Sequence, residues 1–263
     1  MSNNNSIKKT LFVAISLCIV CSIIVAGAAV GLKDKQKTNK DIDRKKNILI
    51  AGGMYDESKS IDETFKIITT KIVNLETGEF NNDIDPKSFD IIKAAKDPQL
   101  GITIHPAKDS AKIKRKPKYM PVYLVQNKEQ TEIKKIILPI YGKGLWSTLY
   151  GFMALEADFN TVLGLGFYSH AETPGLGGEV DNPKWKASWK GKQIYSENDT
   201  SSPLIKLIKG TVNSEQKEAI HQIDGLSGAT LTSNGVTNLV QFWMGTEGYA
   251  NFLNTLRNKE KKQ

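Results

Sequence analysis

An α+β domain behind a single N-terminal transmembrane helix is the fold class that three features of this 263-residue sequence predict. Residues 11–30 form an uncharged run rich in Ile, Val, Leu and Ala. Helix-like patterns then precede a block of four strand-like segments, and a helix-like pattern returns at the C-terminus. Helices, then strands, then helices argue for a largely antiparallel sheet flanked by helices. With 40% hydrophobic and 8% aromatic residues, the chain can bury a sizeable core, so disorder is not the expectation.

The apolar run matches a hydrocarbon core of roughly 30 Å at about 1.5 Å per residue. Lys8 and Lys9 before it also suit a signal peptide, but the run exceeds the usual apolar length of about 7–15 residues. The span is placed at 11–32, after a cytoplasmic N-terminus at 1–10. Cys18 and Cys21 both lie inside it, and the bulky Leu17 and Val20 before them argue against lipidation. No cysteine follows Cys21, which excludes a disulfide framework, a cysteine-ligated zinc or a cysteine-ligated iron–sulfur cluster from the rest of the chain.

Residues 33–60 read as a basic linker with a short helix at 41–54 that ends at Gly52-Gly53. Ser60-Ile61-Asp62-Glu63 has the capping-box pattern and opens a helix with Phe65, Ile68 and Ile72 on one face. Residues 86–100 read as helical, with Pro86 acceptable as first residue. Strands are expected at 119–126 and 132–139 around the polar turn 127–130, and at 151–156 and 162–169. Helices at 234–244 and 247–258, interrupted at Gly245, complete a domain over 61–258, and a basic tail follows at 259–263.

The net charge of +8 comes largely from the flank after the span, from 108–118 and from 257–262. These runs lack interleaved aromatics, so a solvated face or lipid headgroups suit them, and no nucleic-acid partner is expected. Two basic residues precede the span and seven follow closely, which by count favours a cytoplasmic domain. That rule weakens before a long domain, and the residues alone leave the sidedness open.

Three glycine-rich loops carry chemistry. Asp224-Gly225-Leu226-Ser227-Gly228-Ala229-Thr230-Leu231-Thr232-Ser233-Asn234-Gly235 leads into an apolar stripe of Val236, Leu239, Val240 and Trp243. A hydroxyl-rich loop entering a helix N-terminus suits an anion, although Ser233 or Asn234 as a plain helix cap is an equal reading. Tyr141-Gly142-Lys143-Gly144-Leu145-Trp146-Ser147-Thr148 and His170-Ala171-Glu172-Thr173-Pro174-Gly175-Leu176-Gly177-Gly178-Glu179 are the others. Together they fit a phosphorylated planar ligand, with hydroxyls and helix N–H groups for phosphate, Trp146 and Leu176 for ring faces, and backbone donors for ring heteroatoms. His105, His170 and His221 have no spacing that suggests a metal, and no G-x-G-x-x-G follows a strand.

The three motifs, in this order, resemble the FMN-binding family of the C subunits of Na+-translocating NADH:quinone oxidoreductases, shared with the G subunits of Rnf complexes. The length and the 177–183 segment are more similar to the former. The resemblance implies FMN joined through its phosphate to Thr230 by a separate flavin transferase outside the cytoplasm. Ser227, Gly228, Ala229 and Thr232 would border the phosphate; Gly144, Leu145, Trp146, Ser147, Glu172, Thr173, Gly175, Leu176 and Gly177 would border the ring. It further implies a single-pass inner-membrane subunit, N-terminus inside and domain periplasmic, that relays electrons toward quinone beside other membrane subunits while the whole complex exports Na+. NADH would be oxidised by another subunit, and the uncharged span offers no ion pathway of its own. A reading of another class is a membrane-anchored module that holds a phosphorylated ligand without redox chemistry.

Overall fold

The computed structural model describes residues 7–127, 129, 132–196 and 199–260; the expected turn at 127–130 and tail at 259–263 fall partly outside them. Contacts divide the chain into two units, Met1–Arg44 and Lys45–Gln263. Helix α1 spans Ile7–Ala51 without a break, so the separate helix expected at 41–54 is its last part. Nothing between Gly31 and Ala51 could have stopped it, because that stretch has neither glycine nor proline. It does end at the glycine pair: Gly53 takes φ +64°, and the Met54 N–H reaches back to the Leu49 carbonyl at 2.8 Å, a left-handed stop that glycine adopts at little cost. In the first unit its most apolar 18-residue window has a mean hydropathy of 2.7, long and apolar enough to cross a membrane.

The second unit begins with the last turns of α1. Helix α2 covers only Ile61–Phe65, and the Ser60 side chain makes no capping bond. Strand β1, Ile68–Asn74, follows at once, so Ile68 and Ile72 belong to a strand and not to the helix expected from the capping box. After β2, Phe80–Asn81, the helix expected over 86–100 shrinks to α3, Ile91–Lys96, whose first turn is capped by the Asp90 carboxylate accepting from the Ile92 and Lys93 N–H groups. Gly101–Thr103 (β3) and Arg115–Pro117 (β4) form a small antiparallel pair.

The strand block is close to expectation: β5 Tyr119–Gln126, β6 Ile133–Lys143, β7 Thr148–Glu156 and β8 Val162–Ser169. They form a six-stranded sheet in the order β2-β1-β5-β6-β7-β8, antiparallel at every step. Pairing of β5 with β6 stops at Tyr123↔Ile137, two residues short of Pro121 and Pro139, which have no N–H for a ladder. Helix α4 (Pro183–Ala187), the parallel pair β9 (Lys206–Ile208) and β10 (Gln222–Asp224), then α5 (Thr230–Met244) and α6 (Ala250–Glu260) complete the chain.

The sheet is covered on both faces. Ile136, Leu138 and Ile140 pack with the α5 and α6 residues Leu239, Val240, Trp243 and Phe252 in the main core. Ile137, one step out of phase on β6, joins Phe152 and Ala154 on the opposite face under Ile48, Leu49 and Ala51 of α1, as alternation along a strand requires. Helix α5 approaches β6 closely: the Trp243 indole N–H donates to the Tyr141 carbonyl at 2.6 Å, and a Cβ at Gly235 would lie 2.6 Å from the Lys143 carbonyl oxygen. That packing brings the start of α5 to the end of β6.

Candidate functional site

The three loops singled out in the sequence meet there. The β6–β7 register ends at Lys143↔Thr148, leaving Gly144-Leu145-Trp146-Ser147 as a tight hairpin loop closed by a Gly144 N–H to Ser147 carbonyl bond of 2.8 Å. Trp146 at its tip is 66% exposed, which removes it from the core. The chain leaving β8 turns back beneath this loop, where Ser147 Oγ accepts from the Ala171 N–H at 2.7 Å.

Glu172 joins all three segments. The residue is 5% exposed; Oε1 of its carboxylate accepts from the Trp146 and Ser147 N–H groups at 3.0 and 3.2 Å. Oε2 accepts from the Leu145 N–H at 3.2 Å and from the Thr232 hydroxyl at 2.6 Å. Burial is the largest single influence on this carboxyl and raises its pKa, but the hydrogen bonds from Thr232, Trp146, Ser147 and Leu145 together outweigh it and hold the group below its usual range. The backbone donors expected to meet ring heteroatoms from this hairpin are therefore occupied by Glu172. His170 stands behind it. Its Nδ1 accepts from the Glu172 N–H at 3.2 Å, so the proton sits on Nε2, which donates to Asp181 at 2.8 Å.

The turn after Glu172 is built on the Thr173 carbonyl, which accepts from the Leu176 and Gly178 N–H groups, with Gly175 at φ +74°. The N–H groups of Gly175 and Gly177 make no bond among the described residues; Gly175 is exposed and can offer its N–H as a donor, whereas Gly177 is buried. Leu176 is 44% exposed and touches the next loop: a Cβ on Gly228, itself at φ +68°, would be 3.0 Å from Leu176 Cδ2.

Helix α5 opens at Thr230, four residues earlier than the pattern suggested, with Ala229 at the cap position and no side-chain cap. Ser233 is not the cap; its hydroxyl accepts from the Leu226 N–H at 3.0 Å and pins the loop from inside. The first helical bond runs from the Ser233 N–H to the Ala229 carbonyl. The N–H groups of Thr230, Leu231 and Thr232 thus have no acceptor among the described residues, at the positive end of a 15-residue helix. The hydroxyls divide sharply. Ser227 and Thr230 are exposed, whereas Thr232 and Ser233 are buried and bonded within the protein.

An exposed threonine at a helix N-terminus, beside the uncovered apolar surfaces of Trp146, Leu176 and Leu231 and the unpaired N–H of exposed Gly175, fits a phosphorylated group with a planar ring. Leu231, 61% exposed, was not singled out in the sequence, although it lies off the Val236, Leu239, Val240 and Trp243 stripe. Lys143, whose Nζ donates to the Trp146 carbonyl at 3.1 Å, was also missed, and its own position held no signal.

Comparison with known proteins agrees with this geometry. Residues 144–245 match the FMN-binding domain family, a span that starts at the hairpin and ends just after α5. The chain is 49% identical to the C subunit of the Na+-translocating NADH-quinone reductase of Pseudomonas aeruginosa, covering 99% of this chain and 100% of that one. It is 46% identical to the corresponding C subunit of Vibrio alginolyticus over 98% of each. The crystal structure of NqrC from Shewanella oneidensis superposes with a TM-score of 0.75 at 36% identity, over 85% of this chain and 99% of that one. The crystal structure of the C subunit from Parabacteroides distasonis gives 0.63 at 27% identity, over 86% and 96%. With near-complete coverage on both sides, and with the hairpin, the buried Glu172 and the open start of α5 inside the matched region, this chain belongs to the family of C subunits of the Na+-translocating NADH-quinone reductases.

Proposed function

We propose that this chain is the electron-relay subunit of a Na+-translocating NADH-quinone reductase and carries FMN as a phosphoester on Thr230. The observation that carries the reading is the division of hydroxyls at the start of α5. Thr230 is exposed beside unpaired N–H groups, whereas Thr232 turns inward to Glu172. A flavin bound here supplies redox chemistry in one- and two-electron steps. The chain's own residues hold and screen it. On the transferase, the Thr230 hydroxyl would give up its proton and attack the flavin-side phosphorus of a flavin dinucleotide, the pyrophosphate bond would break and the nucleoside monophosphate would leave with that proton, and the first N–H groups of α5 would face the remaining phosphate charge. Trp146 and Leu176 would cover the ring, and the N–H of exposed Gly175 would be the donor left for its edge.

The attachment needs a flavin transferase, and a transferase working outside the cytoplasm requires the domain to be periplasmic, with α1 crossing the inner membrane N-terminus inside. Gly27, Ala28 and Ala29 on the span allow close packing with other membrane subunits of the complex. The test is direct. Full-length protein co-produced with a flavin transferase should fluoresce under ultraviolet light after denaturing electrophoresis, and the peptide containing Thr230 should carry the mass of one FMN. Fluorescence lost on denaturation would leave only a non-covalent binder, and a colourless native protein would remove the flavin altogether.

A further inference from the structure

We propose that Glu172 is a positioning residue that assembles the site before any flavin arrives, and that Gly144 of the hairpin and Gly177 of its own loop serve its carboxylate rather than the ligand. An ionised carboxylate has about four acceptor positions. Those of Glu172 take four donors, the N–H groups of Leu145, Trp146 and Ser147 and the hydroxyl of Thr232. No position is left for a ligand. These donors lie 25 to 27 residues before Glu172 and 60 residues after it, so one buried group ties the β6–β7 hairpin and the first turn of α5 to the loop between them.

The glycines fit the same purpose. A Cβ at Gly144 would lie 2.6 Å from Glu172 Oε1, and a Cβ at Gly177 would lie 2.9 Å from Oε2 and 2.5 Å from Thr232 Oγ1. Any side chain at either position would expel the carboxylate from its seat, so these glycines make room for Glu172. Through Thr232, two residues along α5, the clamp sets how Thr230 is presented, and through Trp146 it sets one wall of the ring pocket. His170 fixes the backbone of Glu172 from behind.

Two measurements on full-length protein test this, and only the second rests on the flavin reading. In flavin-free protein, Glu172→Ala should speed amide hydrogen exchange across residues 145–147 at least tenfold. In the presence of transferase it should slow covalent flavin loading at least tenfold, at a temperature where circular dichroism shows the fold intact. Glu172→Gln should fall between Ala and wild type in both, because its carbonyl can still accept from Trp146 and Ser147 while the Thr232 hydroxyl turns to accept from its amide. If Glu172→Ala does not fold, Glu172→Gln alone is compared with wild type. A folded variant that keeps wild-type exchange at 145–147 would overturn the clamp. Loading at the wild-type rate with an unchanged flavin absorption spectrum would reduce Glu172 to plain stability. A wild-type protein that takes no flavin would instead overturn the proposed function and leave the exchange result standing.

Discussion

Thr230 and Thr232 sit two residues apart in one helical turn, and the structure assigns them opposite responses to the same substitution. Thr232 is 1% exposed, and its hydroxyl donates at 2.6 Å to an ionised carboxylate. A hydrogen bond to a charged group is worth about 1.5–3 kcal/mol, and valine keeps the shape while removing the donor. For a folded unit of about 220 residues, each kcal/mol moves the melting temperature by about 2–4 °C, so Thr232→Val should lower it by about 3–12 °C. Thr230 is exposed, with no hydrogen bond from its hydroxyl among the described residues. Thr230→Val should stay within about 0.5 kcal/mol, a shift of about 2 °C at most. Flavin content should show the reverse: none on Thr230→Val, and retained, though acquired more slowly, on Thr232→Val. Thermal melts with intact-mass measurement of flavin per chain decide the matter. A Thr230→Val protein that still carries one phosphoester-linked FMN, or a Thr232→Val protein as stable as wild type, would refute the reasoning.

Trp146→Leu should leave stability nearly unchanged, since the indole is mostly exposed, and should alter the absorption or midpoint potential of attached flavin; an unchanged spectrum and potential would detach Trp146 from the ring. The depressed Glu172 carboxyl makes a pH prediction. A group whose pKa is lower folded than unfolded contributes stability above the unfolded value, near 4.3 for glutamate, and loses it as pH falls through the folded value. Melting temperatures between pH 7 and 3 should therefore fall more steeply for wild type than for Glu172→Gln; parallel curves would exclude the effect. For sidedness, protease added outside spheroplasts should digest the domain, and full protection until the membrane is opened would reverse the proposed topology.

The sheet was legible because alternation and near-continuous apolar runs survive in β5 to β8; the start of α3 was misplaced at Pro86, where the cap is Asp90. The failures have specific causes. Ile68 and Ile72 are four residues apart, a spacing that fits a helix face and one face of a strand equally. Pairing with β5, invisible locally, decided for the strand over the Ser60 capping pattern. The polar stretch after the span looked like a linker, yet with no glycine or proline it could continue as helix. At the site, the three motifs and Thr230 were legible as short runs. The use of Glu172 was not, because its donors lie 25 to 60 residues away and only the closed sheet brings them to it.

The order in which the chain is made has a consequence for the close packing of α5 on β6. The Trp243 to Tyr141 and Tyr249 to Pro139 bonds join residues 102 and 110 positions apart. The hairpin and the loop after β8 are therefore synthesised well before the helix that completes their surroundings, and closing such long loops costs entropy that only the finished core offsets. A nascent or misfolded chain displays the Ser-Gly-Ala-Thr sequence without its architecture. On the proposed attachment, a transferase that reads the assembled surface would modify finished molecules alone, and the cofactor would also record that folding was completed.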